Sequence, residues 1–255
     1  MRTHALFLVL VLTLPACAVR TPDIPLTETA AGPLVNALEQ RRSSFTGLKA
    51  VARVQTERSG RKRSYESVAI LVKDQEKMKI EAYGPLGQPL LGLSWNGADI
   101  QVRKPGEEPM MLQKQSGIER LTGIAVDPEE LCAVLSGNMP RMSVSGAARA
   151  GCAADGQCFL DVRQDGRQWR FQVIPGAGSP ADLQVLAMES YQRGRLQYRA
   201  SYENTEVRSS YRMPTRIVLS NADKKMSLTV IYEDIDVNPP LLDNDFILTG
   251  DGDRP

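Results

Sequence analysis

The sequence predicts a mainly β protein of the α+β type: about eleven short antiparallel strands in one sheet, curled around a core and plugged by helices. The first observation is alternation. In Lys77-Met78-Lys79-Ile80-Glu81-Ala82 the charged residues point one way and Met78, Ile80 and Ala82 the other, the period-two pattern of a half-buried strand with a wet and an apolar face. The second is punctuation: Ser59-Gly60, Asn96-Gly97 and Pro105-Gly106 fall at the ends of such runs as turns. The third is that helical spacing is confined to two places, after Pro33 and between Ser116 and Gly137. A sheet this wide curls or closes.

Taken in order, residues 1–16 read as a signal peptide. Arg2 precedes an apolar run from Ala5 to Leu14 that is too short to span a bilayer. Leu14-Pro15-Ala16-Cys17 resembles the bacterial lipoprotein signal, in which the cysteine becomes the first mature residue and carries acyl chains. On that reading Cys17 is a lipid anchor; the plainer alternative is an ordinary signal peptide with a chance cysteine. Each buried methylene contributes ~0.8 kcal/mol, so two or more chains hold stably in membrane lipid. Residue 18 is Ala rather than Asp, which by the same resemblance implies transfer to the outer membrane, facing the periplasm.

Residues 17–32 read as an acylated, Pro- and Thr-rich tether. Leu34, Val35 and Leu38 predict a helix from Pro33 to about Arg42. Strands follow over Leu48–Arg58, Arg61–Lys73, Lys77–Ala82, Leu90–Trp95 and Asp99–Arg103. A short helix comes next: Asp127 as cap, Pro128 at its first position, Glu130 completing a capping box, Leu131, Val134 and Leu135 on one face, Gly137 as left-handed stop. Strands resume near Ser143 and continue over Phe159–Arg163, Gln168–Ile174, Asp182–Tyr191, Arg195–Tyr202, Thr215–Ser220 and Lys225–Tyr232. Residues 33–237 thus form one folded domain, and residues 238–255 an acidic, partly disordered tail whose Leu241, Leu242, Phe246, Ile247 and Leu248 can dock its first half.

Missing residues narrow the chemistry. The only histidine, His4, lies in the signal, so the mature chain has no imidazole for general base catalysis, a catalytic triad or a metal site. Cys132, Cys152 and Cys158 fit no metal-ligand spacing. The adjacent carboxylates Glu107-Glu108 and Glu129-Glu130 face different ways on a strand or helix and read as solvated surface. No catalytic residue, metal or cofactor is therefore expected. From Cys17 to Tyr232 there are 29 basic and 23 acidic residues, a net +6 that suits work beside anionic headgroups and is too weak to argue for nucleic acid.

Three stretches carry a resemblance. Leu121-Thr122-Gly123-Ile124, followed by Pro128, Leu131, Leu135, Gly137 and Pro140, resembles the lid region of the LolA/LolB family of periplasmic lipoprotein carriers. Tyr83-Gly84-Pro85-Leu86-Gly87 resembles the projecting loop of the LolB type, outer-membrane lipoproteins that receive cargo. Met213-Pro214-Thr215-Arg216-Ile217, running on through Lys225–Tyr232, resembles the family's closing hairpin. The resemblance implies an incomplete antiparallel β-barrel with a helical lid, whose apolar concave face binds the acyl chains of cargo lipoproteins delivered by a LolA-like periplasmic carrier. A non-transporting envelope lipoprotein that uses the same body as a structural or interaction module is the competing reading; a solid core would favour it.

For single residues both roles stay open. Pro85, Leu86 and Gly87 form a membrane-inserting loop if the resemblance holds, and otherwise Leu86 folds back as core. Val54, Ile70, Met78, Ile80, Leu91, Leu93, Trp95, Leu131 and Leu135 line a cavity or fill a core. Arg58, Arg61, Lys62 and Arg63 make a basic hairpin tip that either meets headgroups or is merely a solvated turn. Cys152 and Cys158 can staple a hairpin in an oxidising compartment, leaving Cys132 a buried, free thiol.

Overall fold

A computed structural model describes residues 27–112, 118–119, 122–142, 147–176, 182–221 and 223–248. Cys17, the signal peptide, Leu121 and the end of the acidic tail lie outside the described residues. Among the described residues fourteen strands form a single antiparallel sheet. They are β1 (Thr27–Thr29), β2 (Gly47–Arg58), β3 (Arg61–Lys73), β4 (Lys77–Tyr83), β5 (Pro89–Trp95), β6 (Ile100–Arg103) and β7 (Met110–Leu112), then β8 (Ala148–Cys152), β9 (Cys158–Gln164), β10 (Arg167–Ile174), β11 (Gln184–Gln192), β12 (Arg195–Arg208), β13 (Tyr211–Asn221) and β14 (Met226–Val237). The order is β1-β8-β9-β10-β11-β12-β13-β14-β2-β3-β4-β5-β6-β7, so β1 and β7 are free edges and the barrel does not close.

Two meanders are therefore joined by the pairing of β14 with β2. That pairing runs from Met226 opposite Arg58 to Val237 opposite Leu48, with a bulge after Tyr232 that adds to the bend of the sheet. Helix α1 (Ala31–Ser43) and helix α2 (Pro128–Ser136) lie inside the curve, and Leu38, Leu48, Ile70, Phe171 and Leu131 are buried between them and the sheet. Pro33 sits in the first turn of α1, where a missing N–H leaves no hydrogen bond unmade. Gly137 ends α2 at φ 64°, the left-handed stop its sequence predicts.

Four expectations need correction. The sheet has fourteen strands rather than about eleven, and the extra ones are short edges such as β1 and β7. The segment read as a tether supplies β1, which pairs with β8, and the start of α1. Strands β12 and β13 run past the expected stretches: β13 starts early because Tyr211 and Met213 are buried as core, and the exposed end of β12 pairs along it, with Glu203 and Arg216 3.0 Å apart.

The fourth concerns the outer face of the sheet, expected to be wet: the first half of the tail docks, as its apolar residues allow, on that face of β4, β5 and β6, and is described to Leu248. Phe246 and Leu248 are buried there, the Ser94 hydroxyl donates to the Phe246 carbonyl, and Leu248 packs closely over Gly92, where an added Cβ would come within 3.1 Å of it. Leu242 and Ile247 stay exposed. The face expected to be wet is thus covered locally, and Glu81 is buried with Arg103 at 2.7 Å. Lys73 and Lys77 reach Asp243 at 3.0 and 2.8 Å and hold its carboxyl down at about 2, chiefly through hydrogen bonds to both ammonium groups.

Candidate functional site

Antiparallel register stacks apolar side chains in rows across the concave face. Ile70 opposes Ile80, which opposes Leu93; Val68 opposes Ala82, which opposes Leu91. On the other side, Val54 of β2 opposes Val230 of β14. These rows, with Leu131 and Leu135 one helical turn apart on α2, enclose a cavity of about 770 Å3. Small-molecule sites span about 300–1,000 Å3, so this one has room for an extended apolar ligand.

Of the nine residues read as cavity or core, Val54, Ile70, Ile80, Leu91, Leu93, Leu131 and Leu135 line this cavity. Met78 and Trp95 do not. They share the face but lie one row further in, opposite each other and beside Val72, where α2 covers them and they are packed as core. The Cys132 thiol of α2 approaches the Lys77 carbonyl at 4.0 Å there, and complete burial pushes the thiol far up, away from reactive thiolate character. Cavity residues that alternation alone did not single out include Tyr65, Met226, Leu228 and Val230, all on the inward parity of their strands.

The lid helix is fastened at both ends. Asp127 makes no capping bond; it pairs with Arg167 at 2.6 Å, and Glu130 accepts from the Trp169 indole at 2.9 Å and from Arg167 at 3.1 Å. The expected capping box is absent because these tertiary partners take both carboxylates. Burial pushes the Glu130 carboxyl up, against the pull of Arg167 and the indole N–H. At the other end Tyr232 donates to the Leu135 carbonyl at 2.8 Å and Tyr211 to Asn138 at 2.6 Å.

Arg41 of α1 ties that end to the sheet. Its guanidinium donates to the carbonyls of Gly137, Leu183 and Arg212 and lies 4.2 Å over the Tyr211 ring. A buried charge is tolerable when it is well partnered, and here each of the three guanidinium nitrogens finds a carbonyl and the Tyr211 ring covers one face.

Cavity opening and projecting loop share one end of the sheet, since alternate turns of a meander do. The Pro85-Leu86-Gly87 turn joins β4 to β5, with Gly87 at φ 77° and Leu86 92% exposed. Hairpin β2–β3 overhangs this turn, because Tyr83 pairs with Ser67, six residues short of the hairpin end at Arg61. Thr122 and Gly123 close the opposite lip, where a Cβ on Gly123 would strike Met226, and Glu119 is ion-paired to Lys224. Remote from the cavity, Cys152 and Cys158 face each other at the ends of β8 and β9 and are disulfide-bonded, with Cys132 free. Among the described residues no three His, Cys, Asp or Glu side chains converge as metal ligands, and no helix is long and apolar enough to cross a membrane.

An open antiparallel half-barrel holding an apolar cavity beneath a strapped helix defines a small class of folds. Comparison with solved structures places the chain within it. A LolA superfamily protein from Nitrosomonas europaea matches with a TM-score of 0.57 at 18% identity, over 86% of this chain and 98% of that one. A putative outer membrane lipoprotein-sorting protein domain from Vibrio parahaemolyticus gives 0.52 at 12% identity, over 85% and 97%. A DUF1329 family protein from Desulfovibrio piger gives 0.53 at 12% identity, over the same shares. The chain has the LolA-type fold. No protein-family model matches the sequence, and neither does any curated relative.

Proposed function

We propose that this protein is an envelope lipoprotein, anchored in the outer membrane through acylated Cys17, that takes up acyl chains in its cavity. On this reading it is a LolB-like acceptor: a LolA-like carrier delivers cargo lipoproteins, and Leu86 dips into the membrane as they are inserted. No catalysis is required. The single observation that carries the reading is the open apolar cavity of about 770 Å3 beneath α2, since a purely structural module gains nothing from leaving its core unfilled. The exposed Leu86 supports the loop's role, because it has no strand face to bury it and stands at the end of the sheet where the cavity opens.

The test uses the full mature chain with Cys17→Ala. It should bind a fluorescent fatty-acyl probe in a one-to-one complex seen by native mass spectrometry. Leu86→Glu should leave that binding intact, as the loop is outside the cavity, yet block delivery of a lipoprotein to vesicles, because a carboxylate in hydrocarbon is costly. A body that binds no acyl chain sinks the carrier reading; full delivery by Leu86→Glu sinks only the loop's role. Cys17→Ser should abolish lipid labelling of the expressed protein, and labelling that persists at the N-terminus would remove the anchor.

A further inference from the structure

The face of hairpin β2–β3 that looks into the cavity changes character along its length. Register pairs Val54 with Tyr65, then Thr56 with Arg63, then Arg58 with Arg61, and all six side chains line the cavity. The wall therefore runs from apolar, through a hydroxyl, to three guanidinium groups at the opening. On the opposite face of the same hairpin charge is balanced, since Lys62 pairs with Glu57 at 3.7 Å. On the cavity face it is not: among the described residues the lining contains Arg58, Arg61 and Arg63 and no carboxylate.

The tip is held in place. Ser59 and Gly60 both take positive φ, as a tight two-residue hairpin turn requires, and the Ser59 N–H donates to the Lys225 carbonyl at 3.0 Å, tying the tip to the neighbouring turn. Three like charges on one face, with no carboxylate beside them among the described residues, repel one another unless something anionic joins them, and planar guanidinium forks suit phosphate oxygens.

Resting on the acyl-cavity reading above and adding a second ligand class to the uncharged lipid group of a lipoprotein, we infer that the juxtaposition of an apolar cavity with the Arg58–Arg61–Arg63 rim favours an amphiphile whose phosphate headgroup carries a net negative charge, an anionic phospholipid. The acyl chains lie against the rows of β3, β4 and β5 while the arginines hold the phosphate at the opening. Lys62 takes no part, because its side chain is on the far face.

The experiment compares dihexanoyl phosphatidylglycerol with dihexanoyl phosphatidylcholine, both below their micellar concentrations so that no membrane surface is present. Binding to the full mature chain carrying Cys17→Ala is followed by displacement of the acyl probe. The anionic lipid should bind tighter by on the order of tenfold or more, as charge-assisted contacts allow. The exposed triple variant Arg58→Gln, Arg61→Gln, Arg63→Gln should lose that preference and keep acyl-probe binding, with phosphatidylcholine, whose phosphate is already neutralised by its own choline, weakened much less than phosphatidylglycerol, whereas Lys62→Gln should change nothing. Glycerol 3-phosphate alone should compete only weakly. Equal affinity for the two lipids, or a preference that survives the triple variant, overturns the headgroup assignment while leaving the cavity reading standing. Glycerol 3-phosphate binding as tightly as the lipid would make the rim a free-anion site and overturn it too. Failure to bind any of the acyl ligands would instead remove the reading on which it rests.

Discussion

Glu130 was legible as a helix-capping residue, and it is placed where a cap should be, but its carboxyl is spent on Trp169 and Arg167. The consequence is a pH dependence. Burial raises its folded pKa above the unfolded value, so folding takes up a proton more readily there; the stabilisation is complete below the unfolded pKa and is lost as pH rises through the folded one. Each unit of such a shift amounts to ~1.4 kcal/mol. Glu130→Gln keeps an acceptor for the indole and removes the titration. Stability followed by urea denaturation between pH 4 and pH 7 should therefore fall with pH less steeply in the variant than in the parent. An unchanged slope would show that Glu130 does not titrate in this range. Met78 and Trp95 carry a related lesson: their alternation was read correctly, yet whether an inward residue lines a void or packs solidly depends on what covers it, here α2.

At the level of elements, hairpins β2–β3 and β4–β5 and helix α2 were visible in the sequence because turn dipeptides, alternation and the Gly137 stop are local signals. Strand β1, the extended ends of β12 and β13, and the place where the tail docks were not, because each is held by residues distant in the chain. The tail shows this most clearly. Phe246 finds its pocket only when β4, β5 and β6 are already paired, and fully burying such a side chain contributes ~1.5–3 kcal/mol. Phe246→Ala should free the segment after Val237 for limited proteolysis while circular dichroism shows the sheet unchanged. A tail as resistant as the parent's would mean that Leu248 and the Asp243 ion pairs suffice to hold it.

For the molecule as a whole, the sheet leaves a cavity because its two meanders curve around α1 and α2 without closing. Ala82 lies on the cavity wall between Val68 and Leu91. Ala82→Phe places a ring in open space, so it should cost less than about 1 kcal/mol, against the 1–3 kcal/mol typical of overpacking a filled core. It should also weaken acyl-probe binding at least tenfold by occupying the ligand's volume. Severe destabilisation on thermal melting would show that the wall has no room; unchanged binding would place the ligand elsewhere.

Period-two alternation and turn dipeptides were enough to define an antiparallel β protein with one short lid helix, and the confinement of the only histidine to position 4 leaves no imidazole in residues 17–255, because each depends on neighbours a few residues apart or on composition alone. The inward parity of Val54, Ile70, Ile80, Leu91 and Leu93 was also set locally, since side chains on a strand must alternate. What required the folded chain was the emptiness of the space those residues face, the opening of that space onto Arg58, Arg61 and Arg63, and the fastening of α2 by Arg41 and Glu130. These depend on register between strands far apart in sequence and on which element covers which face, and such long-range pairings leave no periodic trace in the residues that make them.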